Sequence, residues 1–351
     1  MPTDLLYHEE FTKHVMSPSH PERPERLVSA MSHIKETGLL QNSKVRLVEA
    51  VPVDLDLVYS LHEKSYIDMI RKKSESGGGF FTLDTSVNEH TYDASILAAG
   101  AGTLAMDRIM EGVTKNAYVL CRPPGHHAEH NQAFGFCFIN NVAIAAKHLI
   151  RKHGVERVLI VDYDAHHGNG TQNAFYSSNQ VLYIGLHQDG RTLFPGSGFP
   201  DEIGSEEGKG YNVNLAMYPG AGDISYDIAF SEIVEKICDS YRPEFILVSC
   251  GFDGHFSDPL TALGLTTSGM AMMNMRLNSM SKDFCEGQIA FFLEGGYDLD
   301  IVGKCSRNII EELCGVGITS FNDEHTESEN CTQYTESLVD RLRSNLRGIH
   351  F

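Results

Sequence analysis

Residues 161–172 of this 351-residue chain read VDYDAHHGNGTQ, directly after an apolar run of β-formers. Ionisable groups at the end of a buried strand are costly unless a partner or a cation compensates them. Side chains alternate along an extended segment, so Asp162, Asp164 and His166 are expected on one side. Asp164 and His166 can then approach one metal ion together. The third ligand must come from elsewhere, and Asp253, closing the apolar run FILVSCGFD (245–253), is the best candidate. Two carboxylates and one imidazole suit Zn²⁺ with a fourth position open. Asp162 remains as an orienting group behind the site.

Two further motifs carry chemistry. In PPGHHAEH (123–130), His126 and His127 are adjacent. In an extended loop such neighbours point in opposed directions, so both cannot easily bind one metal. Proton transfer and transition-state charge stabilisation suit them better. The prolines fix that loop, and Gly125 allows the backbone to come close to a ligand. In LEGGYDL (293–299), the Tyr297 phenol follows two glycines and could donate to a developing oxyanion. His130 and His255 read as ordinary polar loop residues.

These motifs need a frame. Strands are expected at 45–50, 117–123, 157–165, 181–187, 245–253 and 289–297, and helices at 24–37, 55–73, 93–111, 138–153, 224–240, 267–284 and 299–313. The alternation predicts a doubly wound α/β domain with a buried, mostly parallel sheet. Ligand sites in such sheets lie outside the carboxyl ends of the strands, where CRPPGHHA, VDYDAHHGNG, SCGFDGHFSDP and LEGGYDL all fall. SESGGGFF (74–81) reads as a mobile surface loop. The polar stretch 318–333 reads as exposed, followed by a last amphipathic helix at 334–347 packed on one domain spanning 1–351.

Composition narrows the function. A formal net charge of −19 argues against nucleic-acid binding. It is compatible with a cationic substrate, such as a lysine-rich segment or a polyamine, and equally with simple solubility. The eight cysteines are scattered without a Cys-x-x-Cys pair, and several sit inside apolar runs, which fits a reducing compartment. Neither a signal peptide nor a membrane span is evident, so a cytoplasmic protein without membrane partners is expected.

HPERPERL (20–27), RPPGHHA, GFCFINNVAIAA (135–146), DYDAHHGNGTQ, FPGSGFPDEIG (194–204), SCGFDGHFSDPL and LEGGYDL together resemble the motifs of the zinc-dependent histone deacetylase superfamily. That superfamily also contains acetylpolyamine amidohydrolases and acetoin-utilisation proteins. The matches run in the family's order from residue 7 to about 315, and HPERPER, HHGNGTQ and EGGY look most like the class II branch and its bacterial and archaeal relatives. The resemblance implies a three-layer α/β/α arginase–deacetylase fold with about eight strands. It implies zinc on Asp164, His166 and Asp253, with His127 as general base and then acid. His126, paired with Asp162, would be mainly an electrostatic partner, and Tyr297 would polarise the acetyl carbonyl. Phe136 and Phe194, with Gly135 beside Phe136, would wall an acyl-lysine tunnel. Asp84 would hold the substrate backbone at its rim, and Arg26 would line an inner channel for acetate. Zinc lowers the pKa of bound water towards about 7, which suits amide hydrolysis at neutral pH.

The chain also departs from the family's pattern. Asn169 stands behind His127 where the class I branch has aspartate, and a neutral partner raises imidazole basicity less than an anion does. A structural potassium ion in the family uses main-chain oxygens of the DYDAH segment and of the following strand, plus a serine hydroxyl; that serine position is Gly185 here, leaving a ligand missing or replaced by water. A second potassium site would involve Phe175, Ser178, Val181 and Tyr211. Leu260 stands where polyamine-selective relatives place glutamate, which leans the substrate toward acetyl-lysine in peptides or proteins, with acetylated polyamines as the alternative. A binuclear arginase-like hydrolase lacks the bridging carboxylates it would need. A catalytically dead acyl-lysine reader would be expected to have lost a ligand, a histidine or the tyrosine.

Overall fold

The computed structural model describes residues 1–41 and 43–351. Its strands are β1 (Thr3–Tyr7), β2 (Val45–Glu49), β3 (Gly79–Phe80), β4 (Ser86–Val87), β5 (Asn116–Val119), β6 (Val158–Asp162), β7 (Val181–Gln188), β8 (Asn212–Met217), β9 (Phe245–Cys250) and β10 (Ile289–Leu293). Eight of them form one sheet in the order β2-β1-β5-β10-β9-β6-β7-β8. Every pairing in it is parallel, beyond the mostly parallel sheet expected. β6, β9 and β10 are buried at every residue, as strands covered on both faces must be.

Helices Glu25–Glu36, Thr267–Phe284 and Leu299–Cys314 pack together on one face of the sheet, and helices Thr91–Met110 and Asn141–His153 on the other. After β5 the chain builds β6, β7 and β8 outward to one edge. It then returns to insert β9 and β10 between β6 and β5. That return makes the ends of β5, β10, β9 and β6 neighbours, although their motifs are far apart in sequence.

Several expectations are corrected. β9 and β10 end before Asp253 and Tyr297, and β6 ends at Asp162, so Asp164, His166, Asp253 and Tyr297 sit on loops and not on strand residues. β1 was missed because its buried Asp4 breaks the apolar pattern; Arg108 Nε donates to that carboxylate at 2.6 Å. β8 was missed because Asn212 and Asn214 alternate with its apolar residues, and both donate to Gln172 at 2.8 Å. The expected helix 55–73 is two, Leu55–Tyr59 and Lys64–Glu75. Between them the buried His62 donates to Glu129 O and accepts from Asn140 N, bonds that tie it to the loops behind the tandem histidines. The glycine-rich 74–81 stretch ends in a hairpin, β3 paired antiparallel with β4. The last helix begins earlier than expected, spanning Glu329–Asn345. The polar stretch before it is clasped to the body. Asp323 accepts from Thr267 N at 2.8 Å and is hydrogen-bonded to His255 Nε2 at 2.7 Å, so His255 is a buried, partnered side chain and no ordinary loop residue.

Candidate active site

The loop after β6 is bent, not extended. Its bends are set by its own side chains: Asp164 N donates to Asp162 Oδ1 at 3.2 Å, and His166 N to Asp164 Oδ1 at 2.9 Å. Simple alternation therefore does not govern this segment, yet Asp164 and His166 still converge. His166 Nδ1 lies 3.1 Å from Asp164 Oδ1 and 2.9 Å from Asp253 Oδ2. The outer carboxylate oxygens are fixed by main chain, Asp164 Oδ2 by Gly295 N at 2.8 Å and Asp253 Oδ1 by Ala165 N at 2.9 Å.

This donor set fits a divalent cation. Asp164 and Asp253 are almost wholly buried, and one Nδ1–H cannot satisfy both carboxylates that face it. Burial opposes a charged imidazole, but the hydrogen bonds and charges of Asp164 and Asp253 prevail and push the His166 pKa up to about 10. Those groups thus demand a positive charge where their three donor atoms meet, all within 4.8 Å of one another. Carboxylate oxygens and an imidazole nitrogen suit zinc.

The tandem histidines correct a second expectation. Ala128 N donates to Gly125 O at 3.0 Å, closing a turn that carries both rings to the same side. Their centroids are 4.0 Å apart, so the rings do not diverge. His126 Nδ1 donates to Asp162 Oδ2 at 3.1 Å, and His127 Nδ1 to Asn169 Oδ1 at 2.7 Å. Burial disfavours charge on both. At His126 the charges of Asp164 and Asp162 overcome it and lift the pKa to about 10. At His127, burial and then the charges of His126 and His166 hold the pKa well below the ordinary value. The pair is thus polarised: one ring keeps its proton and the other is a free base at neutral pH.

Tyr297 N donates to Asp258 Oδ2 at 2.8 Å, which sets the tyrosine on its loop. Its ring meets Phe136 edge-on at 6.0 Å, with the Arg26 guanidinium 5.2 Å from its centroid. Burial, with Asp253 adding to it, raises the phenol pKa well above the ordinary value, so the hydroxyl is a donor. Arg26 is fully buried and donates to Gly296 O at 2.6 Å, bracing the LEGGY loop from below.

A cavity of about 220 Å³ is lined by Asp84, His127, Gly135, Phe136, His166, Leu193, Phe194, Leu260 and Tyr297. Only Leu193 was not singled out from the sequence. Gly135 has φ +51°, and a Cβ there would stand 2.3 Å from His127 Cδ2, so this position admits glycine alone. Asp84 sits in the β3–β4 turn, its carboxylate accepting from Thr85 Oγ1 at 3.1 Å. Larger hollows elsewhere, such as one of about 640 Å³ beside Tyr334 and Arg341, bring together none of these groups.

The structure adds residues the sequence left without a role. Glu294 accepts from Gly125 N at 2.7 Å and His126 N at 3.1 Å, fixing the histidine turn, and burial pushes its pKa up to about 7. A carboxylate closing an apolar strand was the signal used for Asp253, and it applies equally to Glu294. Glu129, inside PPGHHAEH, accepts from Asn169 Nδ2 at 2.5 Å. Buried Glu22 accepts from Arg26 Nη1 at 3.1 Å and pairs with Arg122. At Gly185 a Cβ would stand 2.7 Å from the Tyr183 hydroxyl, so a phenol from the same strand occupies the space of the expected serine. Phe175, Ser178, Val181 and Tyr211 gather near the starts of β7 and β8: Ser178 N donates to Phe175 O at 2.9 Å and Tyr183 N to Tyr211 O at 3.0 Å.

Comparison with known proteins agrees with this architecture. The sequence model of the histone deacetylase domain matches residues 20–313. A probable deacetylase of Archaeoglobus fulgidus is 37% identical over 99% of this chain and 97% of its own length. A histone deacetylase-like amidohydrolase of Pseudomonas aeruginosa is 36% identical over 85% of this chain and 77% of its own. The crystal structure of the HDA15 HD domain superposes with a TM-score of 0.88 at 33% identity, covering 98% of this chain and 96% of that one. A family match running through all four strand-end motifs, and likeness along nearly the whole length to proteins named as deacetylases and amidohydrolases, place this chain in the histone deacetylase family.

Proposed function

We propose that this protein is a zinc-dependent lysine deacetylase, hydrolysing the side-chain amide of acetyl-lysine in peptides or proteins to acetate and a free amine. The observation that carries this reading is the cavity. Its walls are Phe136, Phe194, Leu193 and Leu260, and His127, His166 and Tyr297 line it with them. Such a slot matches an aliphatic stem bearing a small acyl amide. Leu260 offers no charge to a second ammonium, which favours lysine over polyamine.

Asp164, His166 and Asp253 would hold the zinc ion, whose Lewis acidity acidifies water and polarises a carbonyl. His127, the free base of the pair, takes a proton from the attacking water as the new C–O bond forms. The Tyr297 phenol donates a hydrogen bond to the carbonyl oxygen as it gains negative charge. His126, kept protonated beside Asp162, stabilises that charge and holds His127 neutral. His127 then returns its proton to the departing nitrogen as the C–N bond breaks. Asp84 is positioned at the rim to hold the substrate backbone. Main-chain oxygens of the 162–166 segment would hold a structural potassium ion, with the Tyr183 hydroxyl beside the place a serine at 185 would take; Phe175, Ser178, Val181 and Tyr211 would form the second potassium site. The chain works as one catalytic unit from 1 to 351, and its eight free cysteines suit a reducing compartment.

The test is turnover of the zinc-loaded protein on an acetyl-lysine peptide beside N-acetylputrescine, with Asp164→Ala as control. Peptide turnover that disappears in Asp164→Ala together with one equivalent of bound zinc is expected. Polyamine preference would move the substrate class, and full activity of a variant that has lost that equivalent would overturn the metal assignment.

A further inference from the structure

A second donor cluster lies away from the active-site loops, between helices Thr91–Met110 and Asn141–His153. Asp107 projects from the first; His148 and His153 belong to the second. Both imidazoles turn the same atom to the same target. His148 Nε2 and His153 Nε2 each lie 2.7 Å from Asp107 Oδ1, and the three donor atoms are within 4.8 Å of one another. The two rings stand nearly perpendicular at 5.6 Å, as rings converging on a point do. The other carboxylate oxygen, Oδ2, is held by Lys152 Nζ at 2.8 Å, which fixes the carboxylate and leaves Oδ1 to face the imidazoles.

We infer that Asp107, His148 and His153 form a second binding site for a first-row divalent cation such as zinc, one that clips the two helices together. The donor types are those of zinc sites with an open position, two imidazole nitrogens and a carboxylate oxygen. The side chains are mostly covered, with 14% exposure at His148, 14% at His153 and 22% at Asp107, so little order remains to be gained on binding. The site opens on a groove of about 620 Å³ that gives a cation a path from solvent. Asp54 and Asp56 line that groove with Arg151 and Lys152, so its wall is not uniformly repulsive to a cation. Burial, the largest influence, holds the His148 imidazole below its ordinary pKa, which favours the neutral, ligating form at pH 7.

The site uses none of the residues that line the catalytic cavity, so its test does not depend on catalysis. The protein is equilibrated with zinc buffered at low micromolar free concentration, and bound metal per chain is measured by elemental analysis. The wild type should hold one more ion than His148→Asn/His153→Asn, and that variant should turn over substrate as the wild type does. Adding zinc at tens of micromolar should raise the Tm of Asp164→Ala, which lacks the proposed catalytic ion, and leave that of Asp164→Ala/His148→Asn/His153→Asn unmoved. Asp107→Asn is the second variant and should also lose the extra ion. Equal metal content in the wild type and both variants would overturn the site, as would an extra ion that appears only at millimolar zinc without a Tm shift.

Discussion

Glu129 stands one hydrogen bond behind Asn169, the partner of the proposed base His127. Its carboxylate accepts from Asn169 Nδ2, while Asn169 Oδ1 accepts from His127 Nδ1. An amide has two unlike ends, and only one of them suits an imidazole N–H. Glu129, which also accepts from Asn173 at 2.9 Å, therefore sets which end of Asn169 faces His127. Glu129→Ala should lower kcat/KM by an amount on the order of tenfold, a typical cost of one charge-assisted hydrogen bond. Asn169→Asp presents the same atom at either end, so it should blunt that loss. An anion at 169 also favours imidazolium, so the acid limb of the pH profile should move to higher pH in Asn169→Asp. Equal losses from Glu129→Ala in both backgrounds would remove this orienting role. Tyr297→Phe removes the phenol proposed to donate to the developing oxyanion and should reduce kcat by roughly 10²–10³ with bound zinc and Tm unchanged. An unaltered rate would exclude the phenol from the chemistry.

At the scale of elements, the strand-end loops are rigid because side chains from distant elements close them. Asp323, ten residues beyond the family match, joins His255 to the start of helix Thr267–Phe284. The same loop carries Leu260 to the cavity mouth. Burial pushes the Asp323 pKa up, but hydrogen bonds from His255 and Thr267 outweigh it and the net shift is downward. A depressed carboxylate stabilises the fold fully above its unfolded value of about 4 and loses that contribution as pH falls through the folded value. Asp323→Ala should cost about 1–3 kcal/mol at neutral pH, because buried His255 loses its partner. The Tm difference from wild type should shrink in acid, and KM should change more than kcat. A Tm gap constant down to pH 3 would refute the clasp. This element also shows what a sequence conceals. The apolar runs made β6, β9 and β10 legible, and their polar ends pointed to Asp164, His166, Asp253 and Tyr297. The turn that brings the His126 and His127 rings together was not legible, since it depends on Glu294 arriving from the end of another strand. Neither was the hold on the 318–333 stretch, which is mostly exposed as its composition reads and yet is tied to His255 through Asp323.

For the whole molecule, the formal charge of −19 raises a question no single site answers. The cavity itself is mostly apolar, with Asp84 the acidic group at its edge, so the local site does little to select a cation. A diffuse negative field acts differently: it concentrates cationic peptides near the surface and speeds encounter, and it fades as salt shortens the Debye length to about 10 Å at 0.1 M. If the field serves the substrate, kcat/KM for an acetyl-lysine peptide flanked by lysines should fall steeply between low and moderate salt. A peptide with neutral flanks should hardly respond, and kcat should stay constant for both, because steering affects capture and not chemistry. The comparison needs both peptides, since salt acting on the protein would alter both alike. Identical salt profiles would mean that the acidic surface keeps the protein soluble and leaves substrate choice to Leu260, Asp84 and the cavity walls.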